Sequence, residues 1–504
     1  MLYYSAKRTS TIQPQKEKTT PSGKKAFGLN VLWNSSSFFL GYLLAIATSI
    51  VLNRGLGPSR AGIAQYITWL TDTGATMGGL GFIRGIERYV SHNIGANRHD
   101  LLGFIIHRSL IGIFILSCLS GVACCIAANY SLRIQGAWHP IYIPIIFGLV
   151  VSSGLWTGAQ AGSRGLYDFR TLSTTIIGRG AITLAVWYFL IQAGLPIWSL
   201  FIASFVFSVV AFIYVYNFSG MRKWVRSKYT QDHGYWREIL IYVLMVTPAV
   251  IADTVVWQRT ELFFLARFDV AASLAFYSVA AGLTTLIARV PQSLSMVLFP
   301  IFARRIGGGQ DGSARDLYTY ASKWVFSISL PLGAAVLALA EPIVILMYGQ
   351  RYISSVPVLQ VMVFAAVLAP LCSPASSYIY STDRQKFFLL LAPVTIVNNL
   401  ALDWILISRF QLTGAAYANL LSQLTFVAAV LLFATFKLKL RLPYVDIGKV
   451  IFAAGVYYLI CVWARQYGFA SLIIGAAGLV VYLGLLLTLG VFRDEIKWIT
   501  KRAG

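Results

Sequence analysis

Fourteen apolar stretches, most of them near the roughly 20 residues that a helix needs to cross a lipid bilayer, occupy most of this 504-residue chain. They run over residues 31–52, 61–83, 102–128, 141–156, 172–193, 197–218, 239–264, 270–302, 324–340, 353–380, 387–407, 414–436, 450–463 and 469–492. Only short polar segments remain between them. Composition agrees: 57% of residues are hydrophobic and 12% are charged, where a soluble domain carries about 25% charged residues. Mean hydropathy is +0.69. A disordered chain lacks such apolar content. Five cysteines are too few for a disulfide scaffold. The expected fold class is an all-α polytopic membrane protein of about 14 transmembrane helices.

The polar, basic segment 221–238 divides the first twelve spans into six and six. The halves echo each other. Tyr167-Asp168-Phe169-Arg170 precedes the fifth span, and Ser381-Thr382-Asp383-Arg384 precedes its counterpart, the eleventh. Six spans per half give a parallel repeat about an axis along the membrane normal, and substrate sites commonly lie between such repeats. The expected organisation is a disordered basic tail (1–30), an N-lobe (31–238), a C-lobe (239–440), and two further helices with the C-terminus (441–504). Ala45-Ile46-Ala47 resembles a signal-peptide cleavage site, but the apolar run continues past it, and an uncleaved first span is expected.

The net charge is +23, from 41 Lys+Arg against 18 Asp+Glu. Of the 41, thirty fall in the tails and the even-numbered loops, seven in the odd-numbered loops, and four within spans. This alternation is the positive-inside pattern, and it places both termini in the cytoplasm. Most of the charge therefore concerns orientation and anionic lipid rather than nucleic acid.

Ionisable residues at bilayer depth are expensive, at about 2.5–3.5 kcal/mol for a mid-helix Arg on insertion scales, and each is a functional hypothesis. Arg108 lies near a span end and can snorkel. Arg179 in Ile177-Gly178-Arg179-Gly180, Arg259, and Arg289 before Pro291 lie deeper, and are the candidates to line a substrate cavity. Guanidinium groups suit phosphate or carboxylate. Asp72, Asp253, Glu261 and Asp403 are candidates for ion coupling or for pairing with those arginines. Taken as one helix, residues 253–264 put Asp253 and Glu261 on a shared broad face, with Arg259 pointing elsewhere. Asn34, Gln360, Asn398, Asn399 and Gln423 read as interhelical glue.

No catalytic residue, metal site or cofactor is expected. The sequence holds no G-x-x-x-x-G-K-[ST] loop, its five histidines are scattered, and its cysteines lie in apolar spans without ligand spacing. Gly307-Gly308-Gly309 reads as a linker.

Several segments resemble a known family. They are Val397-Asn398-Asn399-Leu400 with Leu406–Ala416, Phe276-Tyr277-Ser278 with Val290-Pro291 and Leu298-Phe299-Pro300, and Glu341-Pro342-Ile343 with Met347-Tyr348-Gly349 and Tyr352. Leu56-Gly57-Pro58 also fits, although residues 59–66 depart from the usual spacing. In order, and with fourteen spans, they resemble the Wzx-like polysaccharide/O-antigen flippase branch of the multidrug/oligosaccharidyl-lipid/polysaccharide exporter superfamily. The resemblance implies two six-helix lobes around a central cavity plus two C-terminal helices. It implies a transporter, not an enzyme, that moves an undecaprenyl-diphosphate-linked glycan across the bacterial cytoplasmic (inner) membrane for lipopolysaccharide or exopolysaccharide synthesis. The partners implied are the lipid-linked glycan, membrane lipids, a polysaccharide polymerase and glycosyltransferases. Two other functions fit a polytopic chain. A multidrug antiporter would have twelve spans and an acidic cavity, and a membrane-embedded glycan polymerase or ligase would carry a sizeable external loop. A peptidoglycan-precursor flippase or a teichuronic-type exporter is a nearer variant.

Overall fold

The computed structural model describes residues 24–492 except 228, 258, 383, 385 and 469, and the side chains of a few further residues, Asp253 and Arg289 among them, also lie outside the description. Among the described residues there is no β-strand. The helices are α1 (Lys24–Gly95), α2 (Leu102–Ile134), α3 (Tyr142–Gly165), α4 (Phe169–Gln192), α5 (Ile197–Phe218) and α6 (Met221–Arg226). They continue with α7 (His233–Trp257), α8 (Glu261–Phe268), α9 (Ala271–Gly307), α10 (Asp311–Ala338), α11 (Ala340–Tyr348) and α12 (Ser355–Leu368). The last five are α13 (Ser373–Ser381), α14 (Lys386–Leu402), α15 (Ser408–Leu432), α16 (Tyr444–Ala464) and α17 (Ala470–Thr488).

α1 is two spans, not one. Gly57 interrupts it at φ 73°, a left-handed value open to glycine at little cost, and Pro58 follows. The chain turns back there. Ser173 at the start of α4 donates to the Trp33 carbonyl at 2.8 Å, and Ser91 donates to the Gly165 carbonyl beside it at 3.2 Å. Both arms of α1 therefore end against the same α3–α4 turn, with Gly57 at the opposite end of the bundle. We call the end near Trp33 and Ser91 the terminal end and the other the distal end.

Eleven helical segments among the described residues are long and apolar enough to cross a membrane. Two of them are bent double: α1 at Gly57, and the segment Lys386–Lys437 at Gln411 (φ 50°). With α9, whose apolar part is shorter, the number of passes is the fourteen expected. The N-terminal tail lies outside the described residues up to residue 23, and from Lys24 the chain is already helical.

The structure corrects the seventh span. It is not a continuous helix over 239–264. α7 stops at Trp257, Arg259 takes a left-handed φ of 62°, and α8 starts at Glu261 and runs on to Phe268. A non-glycine residue there costs about 1–2 kcal/mol. The shared-face argument for Asp253 and Glu261 therefore fails, because they belong to different helices. The tenth span is also interrupted, by a 3₁₀ turn at Ala369–Cys372 where Pro370 lacks an N–H.

α1 to α5 form one lobe, and α8 to α15 the core of the other. α7 starts in the first: Ile239 and Val243 belong to its terminal-side core with Phe82, Ile86 and Trp156. α16 and α17 pack on α10 through Leu339, Val450, Tyr457 and Tyr482. Lys323 of α10, buried at 8% exposure, donates to the Val491 carbonyl at 3.0 Å and fastens the end of the last helix. Large apolar side chains such as Leu390, Ile473 and Val480 stand outward, as a lipid-facing surface requires.

Candidate functional site

A cavity of about 650 Å³ is walled almost entirely by α7 and the second lobe, with Arg84 of α1 on its N-lobe side. Its walls are mostly Ala, Ser and Thr from α7, α9, α12 and α13, with Asn419 and Gln423 from α15. Arg259, at the break between α7 and α8, lines it, and so do Arg84 of α1, Tyr380 and Phe388. Tyr380 and Phe388 sit at the terminal ends of α13 and α14, so the cavity extends toward the terminal end.

The distal side is closed by bonds that run from one lobe to the other. Arg54, just before the Gly57 turn, donates through Nε to the Met347 carbonyl at 2.9 Å and through Nη2 to the Leu346 carbonyl. Gln135 donates to the Ala266 and Asp269 carbonyls, each at 2.7 Å. Tyr352 donates to the Asn53 carbonyl at 2.7 Å. The acceptors Leu346, Met347 and Ala266 sit in the last turns of α11 and α8, where carbonyls lack intrahelical partners. Gly62 lies against the Ala271 carbonyl so closely that any Cβ would collide with it.

Three of the candidate residues lie within electrostatic reach of one another: Arg259 on this cavity, Arg179 on a second one, and Asp72. Asp72 is exposed although it lies in the middle of the second span, so it faces the water-accessible interior. Arg179 and Arg259 are both within its electrostatic reach, one from each lobe. Arg179 donates to the Ser208 hydroxyl at 3.0 Å and lies 5.7 Å over the Trp156 ring. Arg259 reaches the Thr285 hydroxyl at 3.4 Å.

Glu261 and Asp403 form a second group, which is fully buried. Asn419 donates to Glu261 at 2.9 Å, and Gln423 donates to Asn419 at 3.0 Å. Thr260 and Asn399 donate to the same Asp403 oxygen at 2.8 and 3.0 Å, and Asn399 also donates to Thr260 at 2.8 Å. Asn399 and Asp403 are i,i+4 neighbours, and Asp403 opens a stretch of wide π-type helix, Asp403–Ile407. No arginine pairs directly with either acid among the described residues. Among the same residues, Glu261 Oε2 and Asp403 Oδ1 are buried without a well-formed hydrogen bond, and the buried Tyr277 hydroxyl lies within reach of Glu261. Two ionised carboxylates cannot stay so in low dielectric without a proton or cation between them. This distinguishes the two roles expected for these acids, since amides and a hydroxyl, not guanidinium groups, hold them.

Asp253 lies on α7 and Arg289 on α9, with side chains outside the described residues. Asn399 and Gln423, expected as glue, belong to the acid network, whereas Gln360 does bridge helices, to the Leu337 carbonyl at 3.5 Å. Arg108 is exposed and lies over Phe104. Among the basic residues counted with the loops, many sit on helices that run past the apolar spans, Lys323 and Arg84 among them; Arg84 lines the cavity and is held by Glu87 at 3.4 Å. Thr260 and Asn419 carried no sequence signal, because each is a common residue type and gains its meaning only from the break at Arg259. His, Cys, Asp and Glu form no metal-binding cluster among the described residues.

Paired helical lobes with polar cavities, buried charge within apolar helices and a helix broken at the site define a polytopic membrane transporter. Residues 27–305 match the model of the family described as "Polysaccharide biosynthesis protein", and the chain belongs to that family. Residues 250–405 also match the model described as "MatE". Among curated relatives, the chain is 24% identical over 125 residues to "Teichuronic acid biosynthesis protein TuaB" of Bacillus subtilis (strain 168), covering 25% of this chain and 26% of that one. It is 25% identical over 181 residues to "Probable lipid II flippase MurJ" of Rhizobium meliloti (strain 1021), covering 33% and 34%. The chain thus spans about a quarter and about a third of these relatives. The fold is similar to that of "Lipid II flippase MurJ, inward closed conformation" at a TM-score of 0.69 and 16% identity, over 92% of this chain and all of that one. It is also similar to an inward-facing multidrug resistance MATE family transporter of the MOP superfamily, at a TM-score of 0.61 and 16% identity, over 79% and 95%. The chain stands with flippases and transporters, not with enzymes.

Proposed function

We propose that this protein flips an undecaprenyl-diphosphate-linked oligosaccharide across the bacterial cytoplasmic membrane, for O-antigen, lipopolysaccharide or exopolysaccharide synthesis. The terminal end is the cytoplasmic one, as the thirty basic residues of the tails and even loops require. Residues 31–238 and 239–440 act as the two rocking lobes, and 441–504 as an added pair of helices. The lipid's diphosphate is held by Arg259 and Arg179, its prenyl chain stays in the bilayer, and the lobes then open at the distal side. The observation that carries this reading is the placement of Arg259. It sits at a helix break in the cavity wall, with Asp72 of the other lobe within its electrostatic reach. A cavity with guanidinium groups suits an anionic headgroup and repels cationic drugs. Glu261 and Asp403 supply the coupling site, taking up a proton or a small monovalent cation between Glu261 Oε2 and Asp403 Oδ1. A family relative is named for teichuronic acid biosynthesis and another as a lipid II flippase, and both names are in keeping with a lipid-linked glycan here. Glycosyltransferases would deliver the substrate and a polymerase would receive it.

Deletion tests the proposal. Cells lacking the protein should lose surface polysaccharide and accumulate lipid-linked units on the cytoplasmic leaflet. Complementation with the Arg179→Ala/Arg259→Ala variant should fail at normal protein level. Normal surface glycan with that variant would overturn the cationic-cavity reading, and absence of the accumulated lipid would overturn the flippase reading.

A further inference from the structure

The N-lobe holds a second cavity, of about 460 Å³, between the two arms of α1 and helices α3 and α4. Each helix turns a single face to it. Thr48 and Ser49 come from the first arm, Gln65 and Thr68 from the second, Trp156 and Gln160 from α3, and Arg179, Thr183 and Trp187 from α4. In the second arm, α3 and α4 the spacings are three or four residues, along one helix face. None of these residues is acidic. The one charge, Arg179, is engaged by Ser208 and stacked over Trp156.

What remains is a set of neutral donors and acceptors. The Thr48 and Thr68 hydroxyls donate to carbonyls of their own helix, at 2.8 and 2.9 Å, which leaves their oxygens able to accept. The Gln65 amide and the Thr183 hydroxyl have no hydrogen-bond partner among the described residues, and both are half-buried on the cavity wall. Trp156 and Trp187 are buried, and the Trp187 indole N–H is fixed by the Leu200 carbonyl and Ser204, each at 3.2 Å. Neutral amides and hydroxyls in a lipid-embedded lobe are costly unless a ligand or water bonds to them.

We propose that this cavity is a sugar station, which receives an uncharged sugar residue of the lipid-linked glycan while the diphosphate lies by Arg259. A sugar ring offers many hydroxyls to Gln65, Gln160 and Thr183 and an apolar face to an indole. A lipophilic cation would meet Arg179 with no acid on the cavity wall, and a diphosphate held by Arg179 and Arg259 would leave the neutral groups of this cavity for the sugar attached to it. Arg179 lines this cavity and Arg259 the other, and Asp72 lies within electrostatic reach of both, so the anionic and sugar parts of one molecule can lie side by side. This inference rests on the flippase reading and adds what the N-lobe recognises.

The test uses the full-length protein in detergent and native mass spectrometry with two probes, undecaprenyl diphosphate and undecaprenyl diphosphate carrying one N-acetylhexosamine. The native protein should bind the sugar-bearing lipid more tightly, and Gln65→Leu/Thr183→Val should cut that preference by about tenfold, as the loss of two net hydrogen bonds implies. Gln65→Asn/Thr183→Ser should keep most of it, which separates lost recognition from lost folding. Equal affinity of the native protein for the two lipids, or an unchanged preference in the Leu/Val variant, overturns the sugar station and leaves the flippase reading standing. Binding of neither lipid by the native protein overturns both.

Discussion

The distal closure allows a quantitative prediction. Replacing Arg54 and Gln135 together by Ala removes four hydrogen bonds that join the lobes. A neutral hydrogen bond contributes about 0.5–1.5 kcal/mol net and one from a charged donor about 1.5–3 kcal/mol. The Arg54 pair is solvent-exposed, so solvent screening cuts each of its bonds to about 0.5 kcal/mol, and each Gln135 bond counts about 1 kcal/mol. The sum is then about 3 kcal/mol, lost only from the distally closed state, since separated lobes cannot make these bonds. At about 1.4 kcal/mol per tenfold, the ratio of closed to open protein falls about a hundredfold. A carrier that rests at about 99:1 would come to near parity, because crossing fully to 1:99 takes about 5.5 kcal/mol. Spin labels at exposed distal positions of the two lobes, Ala193 and Thr413, report the change by double electron–electron resonance. The native protein should show one short distance, and the double variant should add a longer one of comparable weight. A distance distribution identical to the native one would refute the claim that these bonds hold the distal side shut.

Other perturbations have defined outcomes. Glu261→Gln/Asp403→Asn should abolish the dependence of lipid flipping in proteoliposomes on an imposed proton or sodium gradient, and gradient-driven flipping at native rate would exclude the acid pair as the coupling site. Gly62→Val should shift the same spin-label distances toward the open form, since its side chain would strike the Ala271 carbonyl. Lys323→Ala should destabilise the purified protein by about 1.5–3 kcal/mol, the range for a bond from a charged donor, read as a lower melting temperature with α17 the first segment to lose amide protection. An unchanged melting temperature would mean that the contact with Val491 holds nothing.

The passes of the chain could be read from the sequence because apolar length is a local property, and Leu56-Gly57-Pro58 marked the first turn for the same reason. Arg259 was singled out by depth alone, and depth was sufficient, since it lines the cavity. Its backbone conformation was not visible. Nothing in Trp257–Glu261 announces a break, because no glycine or proline sits there and the conformation is imposed by packing on both sides. With the break unseen, Glu261 was assigned to the face of Asp253, whereas its companions are Asn419 and, through Thr260, Asp403. Those contacts span more than 130 residues, so only the assembled fold shows them. Arg84 was hidden differently. It lies at the margin of its apolar run and was counted as topology, yet α1 continues as helix for eleven residues beyond it.

The break in the seventh span has one more consequence. Arg259 belongs to the substrate cavity, while Thr260 and Glu261, next in the chain, belong to the acid pair, and Glu261 feels the charge of Arg259. In an idle carrier that guanidinium stands near the carboxylates and disfavours a further positive ion beside them. An anionic headgroup that neutralises it lifts the repulsion, and linkage requires the reverse effect to be equal in size. On the proposed function, a carrier without its lipid would thereby be kept from dissipating the ion gradient.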